Sequence, residues 1–258
     1  MHPLPSPLAG LHGYAAESLA LFRRMQVRPN AARRKLIQRT IVDLKYHGFW
    51  DELDLLYFFA AHTSQAALLN WKGQAQFDGV LSPSPVWWEV DQGFSRLYDQ
   101  SEINTSWNAV SHGVNYQLGD ASFSVWTWGG GSTFPGGVVE SGSYAGSYLK
   151  LTPRDSGIAS AAACNMDLTP NTGITVDERD GLWTVQRVSA GNANAFIRRN
   201  AVDVGAANAR PAQLSPGAVT LVNGTGGVRF FALGKSRTAA REALFYSIIA
   251  AYMAAVDA

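Results

Sequence analysis

The chain has 258 residues, 47% hydrophobic and only 16% charged, with a net charge of +1. That is enough apolar chain for a sizeable core, with a charged fraction below the usual ~25%. A single cysteine, Cys164, excludes an internal disulfide. The longest apolar run, 248–256, falls short of the ~20 residues that span a bilayer, and residues 1–13 lack the pattern of a signal peptide.

Pro3, Pro5 and Pro7 stand at alternate positions near the start, which excludes a helix and predicts an extended arm. The stretch from Tyr14 to Val27 predicts a short helix with Leu19, Phe22 and Met25 on one side, stopped before Pro29. From Ala31 to Lys72 the spacing predicts three short helices. Leu36, Ile37, Ile41 and Leu44 form the apolar stripe of the first, which Gly48 closes. The second covers FWDELDLLYFF (49–59), with Asp51 placed to cap it, and the third covers SQAALLNW (64–71), capped by Ser64. Three such pieces cannot stand alone in water and must pack on something larger.

Beyond Gly73 the period changes from 3.6 to 2. Strands are expected at 86–90, 121–128, 148–152, 182–188, 195–199, 218–222 and 228–233, separated by turns rich in Gly, Asn and Pro. Strands recurring with no helical pattern between them predict an antiparallel β-sandwich or jelly roll. A closing amphipathic helix carries Phe245, Ile248, Ile249, Tyr252 and Val256, with Thr238 or Ser236 as its cap. The expected fold class is therefore mainly β, with an N-terminal helical segment. Its parts are an arm and short helix at 1–30, a helical segment at 31–72 packed on the body, and the β body at 73–258.

Charge is unevenly spread. Residues 1–50 carry eight basic and two acidic side chains, a balance of +6, so the remainder carries −5 of the net +1. Such a basic segment, with Arg23, Arg24 and Arg28 near its start, suits an acidic protein surface or is simply a solvated helix face. It has no aromatic-interleaved stripe or nucleic-acid motif, so no nucleic-acid partner is expected.

The catalytic templates fail one by one. The five histidines are scattered without metal-ligand spacing, and no nucleophile elbow, phosphate loop or EF-hand loop occurs. Recognition remains. Phe123 and Val125 share one face of the 121–128 strand, and Trp126 and Trp128 share the other. One face forms the core; the other is either covered by the 31–72 helices or open as an aromatic surface. Aromatic rings stack on sugar rings, so Trp107, Trp126 and Trp128, with Asn108, Asn115 or Asn192 nearby, would suit a glycan.

The run A-R-R-K-L-I…G-F-W-D-E-L-D-L-L-Y-F-F-A-A-H…Q-A-A-L-L-N-W-K at 31–72 resembles a module of phage and prophage structural proteins. That family continues with D-R-G-F/Y-x-G and Y-I-D-T, matched here by Asp91-Gln92-Gly93-Phe94-Ser95 and Glu102-Ile103-Asn104-Thr105. Its N-D-A-S-F-x-V-W strand is matched by Leu118 to Trp126, and its closing strand and helix by Phe231 to Gly234 and the helix after Thr238. The resemblance covers about 31–258. It implies a concanavalin A-like lectin/glucanase jelly roll in a virion component assembled in the host cytoplasm. The body would be displayed on the tail or head and bind host surface polysaccharide, with Pro3, Pro5, Pro7, Arg23, Arg24 and Arg28 attaching it to other virion proteins. A homo-oligomer is compatible with this reading.

Two other functions stay open: a decoration protein binding only virion proteins, and a divergent polysaccharide hydrolase. Glucanases of this superfamily carry E-x-D-x-x-E on a strand. Glu52 and Asp54 imitate its start, but Tyr57 stands in place of the last carboxylate and the segment reads as helix. No enzymatic activity is expected. No cofactor is expected either, although a calcium ion on Asp91, Asp120 or Asp155 is conceivable in a lectin-like body.

Overall fold

The computed structural model describes residues 14–82, 86–96, 102–128, 139–141, 148–155, 159–166, 180–189, 195–207, 213–221 and 227–258. The arm with Pro3, Pro5 and Pro7, together with Asn192, lies outside the described residues.

Five helices are described: α1 (Ala16–Arg24), α2 (Ala31–Tyr46), α3 (Ser64–Ala67), α4 (Ala109–His112) and α5 (Ala239–Val256). The strands are β1 (Leu53–Phe58), β2 (Val80–Leu81), β3 (Val86–Glu89), β4 (Gly93–Arg96), β5 (Ile103–Asn104), β6 (Ala121–Trp128) and β7 (Val139–Ser141). They continue with β8 (Tyr148–Asp155), β9 (Ala159–Met166), β10 (Gly181–Arg187), β11 (Ala195–Arg199), β12 (Val202–Ala207), β13 (Thr220–Leu221) and β14 (Gly227–Gly234). Every described strand pairing is antiparallel. Sheet A has the order β12-β11-β10-β6-β14-β4-β3, with β1 also beside β14, and sheet B the order β2-β5-β13-β7-β8-β9. The fold is the antiparallel β-sandwich expected from the strand pattern, with helices before and after it.

Side-chain alternation builds the layers. On sheet A, Phe123 and Val125 of β6 stand opposite Val185 and Trp183 of β10 and Leu233 and Phe231 of β14, all fully buried. Sheet B contributes Ile103, Leu149, Leu151 and Leu221 to the same core, and β9 lies against β10 and β11. The opposite face of sheet A is covered by helix. Phe245 of α5 meets Phe230 of β14 at 6.1 Å, and Tyr252 meets Phe58 of β1 at 4.3 Å between ring centroids. α2 lies against α5 in the same outer layer. Burial of Ile37, Thr40, Ile41 and Leu44 orients α2, and Asn30 caps it through a 2.8 Å bond from the Arg33 N–H.

The first correction to the sequence reading falls in the 49–59 segment. Only Trp50–Glu52 is helical, as one 3-10 turn, and Leu53–Phe58 is strand β1, paired with β14. All six of its residues are buried. A strand covered on both faces loses the period-2 signal and reads as an apolar run of either kind. The third helix is likewise only Ser64–Ala67, and Thr63 rather than Ser64 caps it, accepting from the Ala66 N–H at 3.1 Å.

α5 begins at its Thr238 cap and keeps Phe245, Ile248, Ile249 and Tyr252 buried, as the stripe predicts. It is the one described helix long and apolar enough to cross a bilayer. Here its buried side faces sheet A, and a third of the span is buried.

Candidate functional site

Half of the face that α5 covers is closed by polar contacts. The Arg237 guanidinium donates to Glu242 Oε2 at 2.5 Å and to Ser124 Oγ at 2.6 Å. Thr184 Oγ1 donates to Glu242 Oε1 at 2.5 Å, and the Arg237 N–H donates to Gln186 Oε1 at 3.0 Å. Arg237 and Glu242 are essentially inaccessible. Ser124 of β6 thus faces a buried ion pair, and Ser122 donates to the Lys235 carbonyl at 2.6 Å.

The other end of the same face is different. Trp87 of β3 stands opposite Ser95 of β4, Ser95 opposite Gly227 of β14, and Gly227 opposite Trp128 of β6. Directly opposed residues share a face, so these four form one cross-strand row. Three strand spacings separate its ends, about 14 Å between backbones. Trp87 is 53% exposed, and Ser95 and Trp128 are half-buried.

Gly227 explains how the row stays flat. A Cβ there would lie 2.0 Å from Trp128 Nε1 and 2.3 Å from Cε2, so the indole rests on bare backbone. Nε1 is buried and finds no acceptor among the described residues, so the exposed part of Trp128 is not its N–H. Two residues back on β6, Trp126 is half-buried and stacks on Tyr246 of α5 at 6.2 Å and 11°. Two indole-bearing strands and a small polar residue therefore present a shallow aromatic strip beside the helical layer. Flat rings with a few polar neighbours are suited to planar, partly apolar ligands.

Of the residues singled out from sequence, the fold brings Trp126 and Trp128 together here. Over Trp126 the helical cover includes Tyr246 of α5. Trp107 is 1% exposed and meets Tyr116 edge-on at 5.9 Å, which makes it a core residue. Asn108 caps α4, accepting from the Ser111 N–H at 2.8 Å. Asn115 donates its side-chain amide to Asp54 at 3.0 Å. Trp87 was not among the expected residues. The V-W-W-E-V alternation did place it opposite Trp88, but nothing local reveals which of the two tryptophans turns inward.

The acidic residues are occupied by the protein itself. Asp54 lies at the bulge in β1 and accepts the backbone N–H groups of Val114, Asn115 and Tyr116 at 2.9–3.1 Å. Glu52 pairs with Arg241 at 2.6 Å. Glu52 ends the 3-10 turn while Asp54 lies in β1, so the helical reading is corrected for Asp54, and the two carboxylates are anchors with separate partners. Asp91 pairs with Arg33, and Asp120 accepts from the Ser236 N–H and hydroxyl. Asp155 ends β8, with its side chain outside the described residues. Among the described residues, no three His, Cys, Asp or Glu side chains cluster in a way that could hold a metal ion.

In the basic segment, Arg23 is exposed, whereas Arg24 is tied to Asp78 and donates to the Asn70 carbonyl at 2.9 Å. Arg24 thus fastens α1 to the body. Arg28 is exposed.

No family model matches the chain. No curated protein matches it either. Solved structures do. Domain 4 of AbnA, a GH43 extracellular arabinanase from Geobacillus stearothermophilus, solved in complex with arabinotriose, is 14% identical, with a TM-score of 0.55 over 74% of this chain and 97% of that one. The binding domain of botulinum neurotoxin DC, solved in complex with SialylT, is 10% identical, with a TM-score of 0.50 over 77% of this chain and 52% of that one. A structure reported under the dependence of botulinum neurotoxin type C cell entry on two ganglioside molecules is 11% identical, with a TM-score of 0.50 over 77% and 51%. This chain spans about half the length of the two toxin chains. At these identities the likeness is one of fold, and the shared fold is the β-sandwich.

Proposed function

We propose that this chain is a non-enzymatic, lectin-like adhesin of a phage-type virion, carried on the tail or head and binding host surface glycan through the row Trp87–Ser95–Gly227–Trp128. The observation that carries the reading is that row: partly exposed indoles on one sheet face, with a glycine that lets one of them lie flat. Solved relatives in fold include domains whose reported complexes are with arabinotriose and SialylT, which fits the same use of the sandwich. The 31–72 resemblance to phage structural proteins supports the virion setting. The exposed Arg23 and Arg28 support attachment of the basic segment to acidic virion proteins.

The test is a glycan array and a host-cell adsorption assay with the intact chain, since β1 lies inside sheet A and a 73–258 fragment would lack it. Binding that disappears in Trp87→Ala and Trp128→Ala supports the proposal. An intact chain that binds no glycan and no host cell overturns it and leaves the decoration role.

A further inference from the structure

Trp87 is carried by the β3–β4 hairpin. Among the described strands β3 is at the edge of sheet A and pairs with β4. Among the described residues β4 meets β14 at Ser95 with Gly227 and at Phe94 with Val228. Gly93, at the start of β4, has φ +95 and no room for a Cβ, which would lie 2.2 Å from the Val228 carbonyl oxygen.

The turn of that hairpin is held from three sides. Asp91 sits in the left-handed region at φ 63, unusual for a residue with a side chain. Such a conformation persists only where its surroundings over-determine it. Here its N–H donates to the Ala61 carbonyl at 3.0 Å, and its own carbonyl accepts from Arg229 Nη2 at 2.8 Å. Its carboxylate accepts from Arg33 Nη2 at 2.5 Å. Arg33 belongs to α2, and its other amino group reaches the Ala60 carbonyl and the Tyr252 hydroxyl, both at 3.3 Å. Arg229 is held by Asp257, just beyond α5, at 2.5 and 3.0 Å. On the far face of β3, Trp88 Nε1 donates to the Phe59 carbonyl at 3.4 Å. The turn therefore joins α2, the loop after β1, β14 and the end of α5.

We infer that Arg33 is a positioning residue for the aromatic row: through Asp91 it sets where the β3–β4 hairpin, and with it Trp87, lies relative to Trp128. The inference rests on the site proposed above. It places a residue of the basic N-terminal segment in energetic contact with the binding face, with no contact to ligand.

The experiment is 19F NMR on the full chain labelled with 5-fluorotryptophan, with the Trp87 resonance assigned by Trp87→Phe, beside titration of a glycan that the intact chain binds. In Arg33→Ala the Trp87 resonance shifts or broadens and affinity falls about fivefold or more, while Arg33→Lys restores both in part. Asp91→Gly accepts the positive φ without strain but lacks the carboxylate, so it reproduces the effect and decides the matter if Arg33→Ala does not fold. Arg39→Ala, in the same helix but paired in solvent with Asp43 at 3.6 Å, leaves both readouts unchanged. An unaltered Trp87 resonance in both Arg33→Ala and Asp91→Gly overturns the inference. If Trp87→Ala binds glycan as well as the unaltered chain does, the proposed site fails instead, and the resonance still reports on the clamp without ligand.

Discussion

One face of β6 carries two unlike surfaces. At Ser122 and Ser124 it is buried, closed by the Lys235 carbonyl and the Arg237–Glu242 pair, and at Trp128 it is part of an aromatic strip ending at the exposed Trp87. The residue types are the reverse of what exposure alone would suggest, since the small polar residues are the buried ones. The helix layer accounts for this. α5 brings its own charged groups over β6 and β10 near Glu242, meets β14 at Phe245 and reaches β1 at Tyr252. Serines fit where Lys235 and Arg237, just ahead of α5, supply hydrogen-bond partners, and large rings fit at the border of the helix's cover.

The contrast is broken most severely from the closed side. Glu242→Ala leaves the Arg237 guanidinium buried without its partner, at a cost of about 3–5 kcal/mol, measurable by denaturant unfolding. Replacing both members with apolar residues recovers most of that loss. Alkaline pH attacks the core through two buried phenols. Burial pushes the Tyr57 phenol well above its ordinary value, and burial also raises Tyr252, partly offset by Arg33. Both shifts are upward, so the stability they represent is intact below the unfolded value of about 10 and is lost as pH rises toward the folded values. A spectrophotometric titration would show these two phenols ionising together with unfolding rather than before it.

On the open side the expected effects are smaller and fall on binding. In Gly227→Ala the added methyl meets the Trp128 ring, and displacing it costs about 1–3 kcal/mol while abolishing the flat strip. Melting temperature and tryptophan fluorescence would both report it. Trp87→Ala is the mildest for stability, within about 0.5 kcal/mol because the side chain is half in solvent, yet it removes glycan binding on the array. Equal stability losses in Glu242→Ala and Trp87→Ala would erase the distinction between the two halves.

Much of this was legible in the chain. Alternation in A-S-F-S-V-W-T-W assigned Phe123 and Val125 to one face and Trp126 and Trp128 to the other, and β6 obeys it. The caps at Asn30 and Thr238 are local hydrogen-bond chemistry, and Thr238 was readable from its position ahead of the apolar stripe. Trp107 shows the limit. In sequence it is an indole near two asparagines, as suitable for a ligand as Trp128, and only packing against Tyr116 makes it core.

By itself the sequence determined what local periodicity and turn chemistry encode: an antiparallel sandwich body, an amphipathic helix at its end, and a basic helix near its start. The tertiary structure alone decided the state of 53–58, because a strand buried on both sides loses its alternation and takes its identity from its partner, β14. It also decided which tryptophans meet solvent. That depends on where α5 crosses sheet A and on Gly227 lying beneath Trp128, and residues this far apart in the chain leave no joint signal in either neighbourhood.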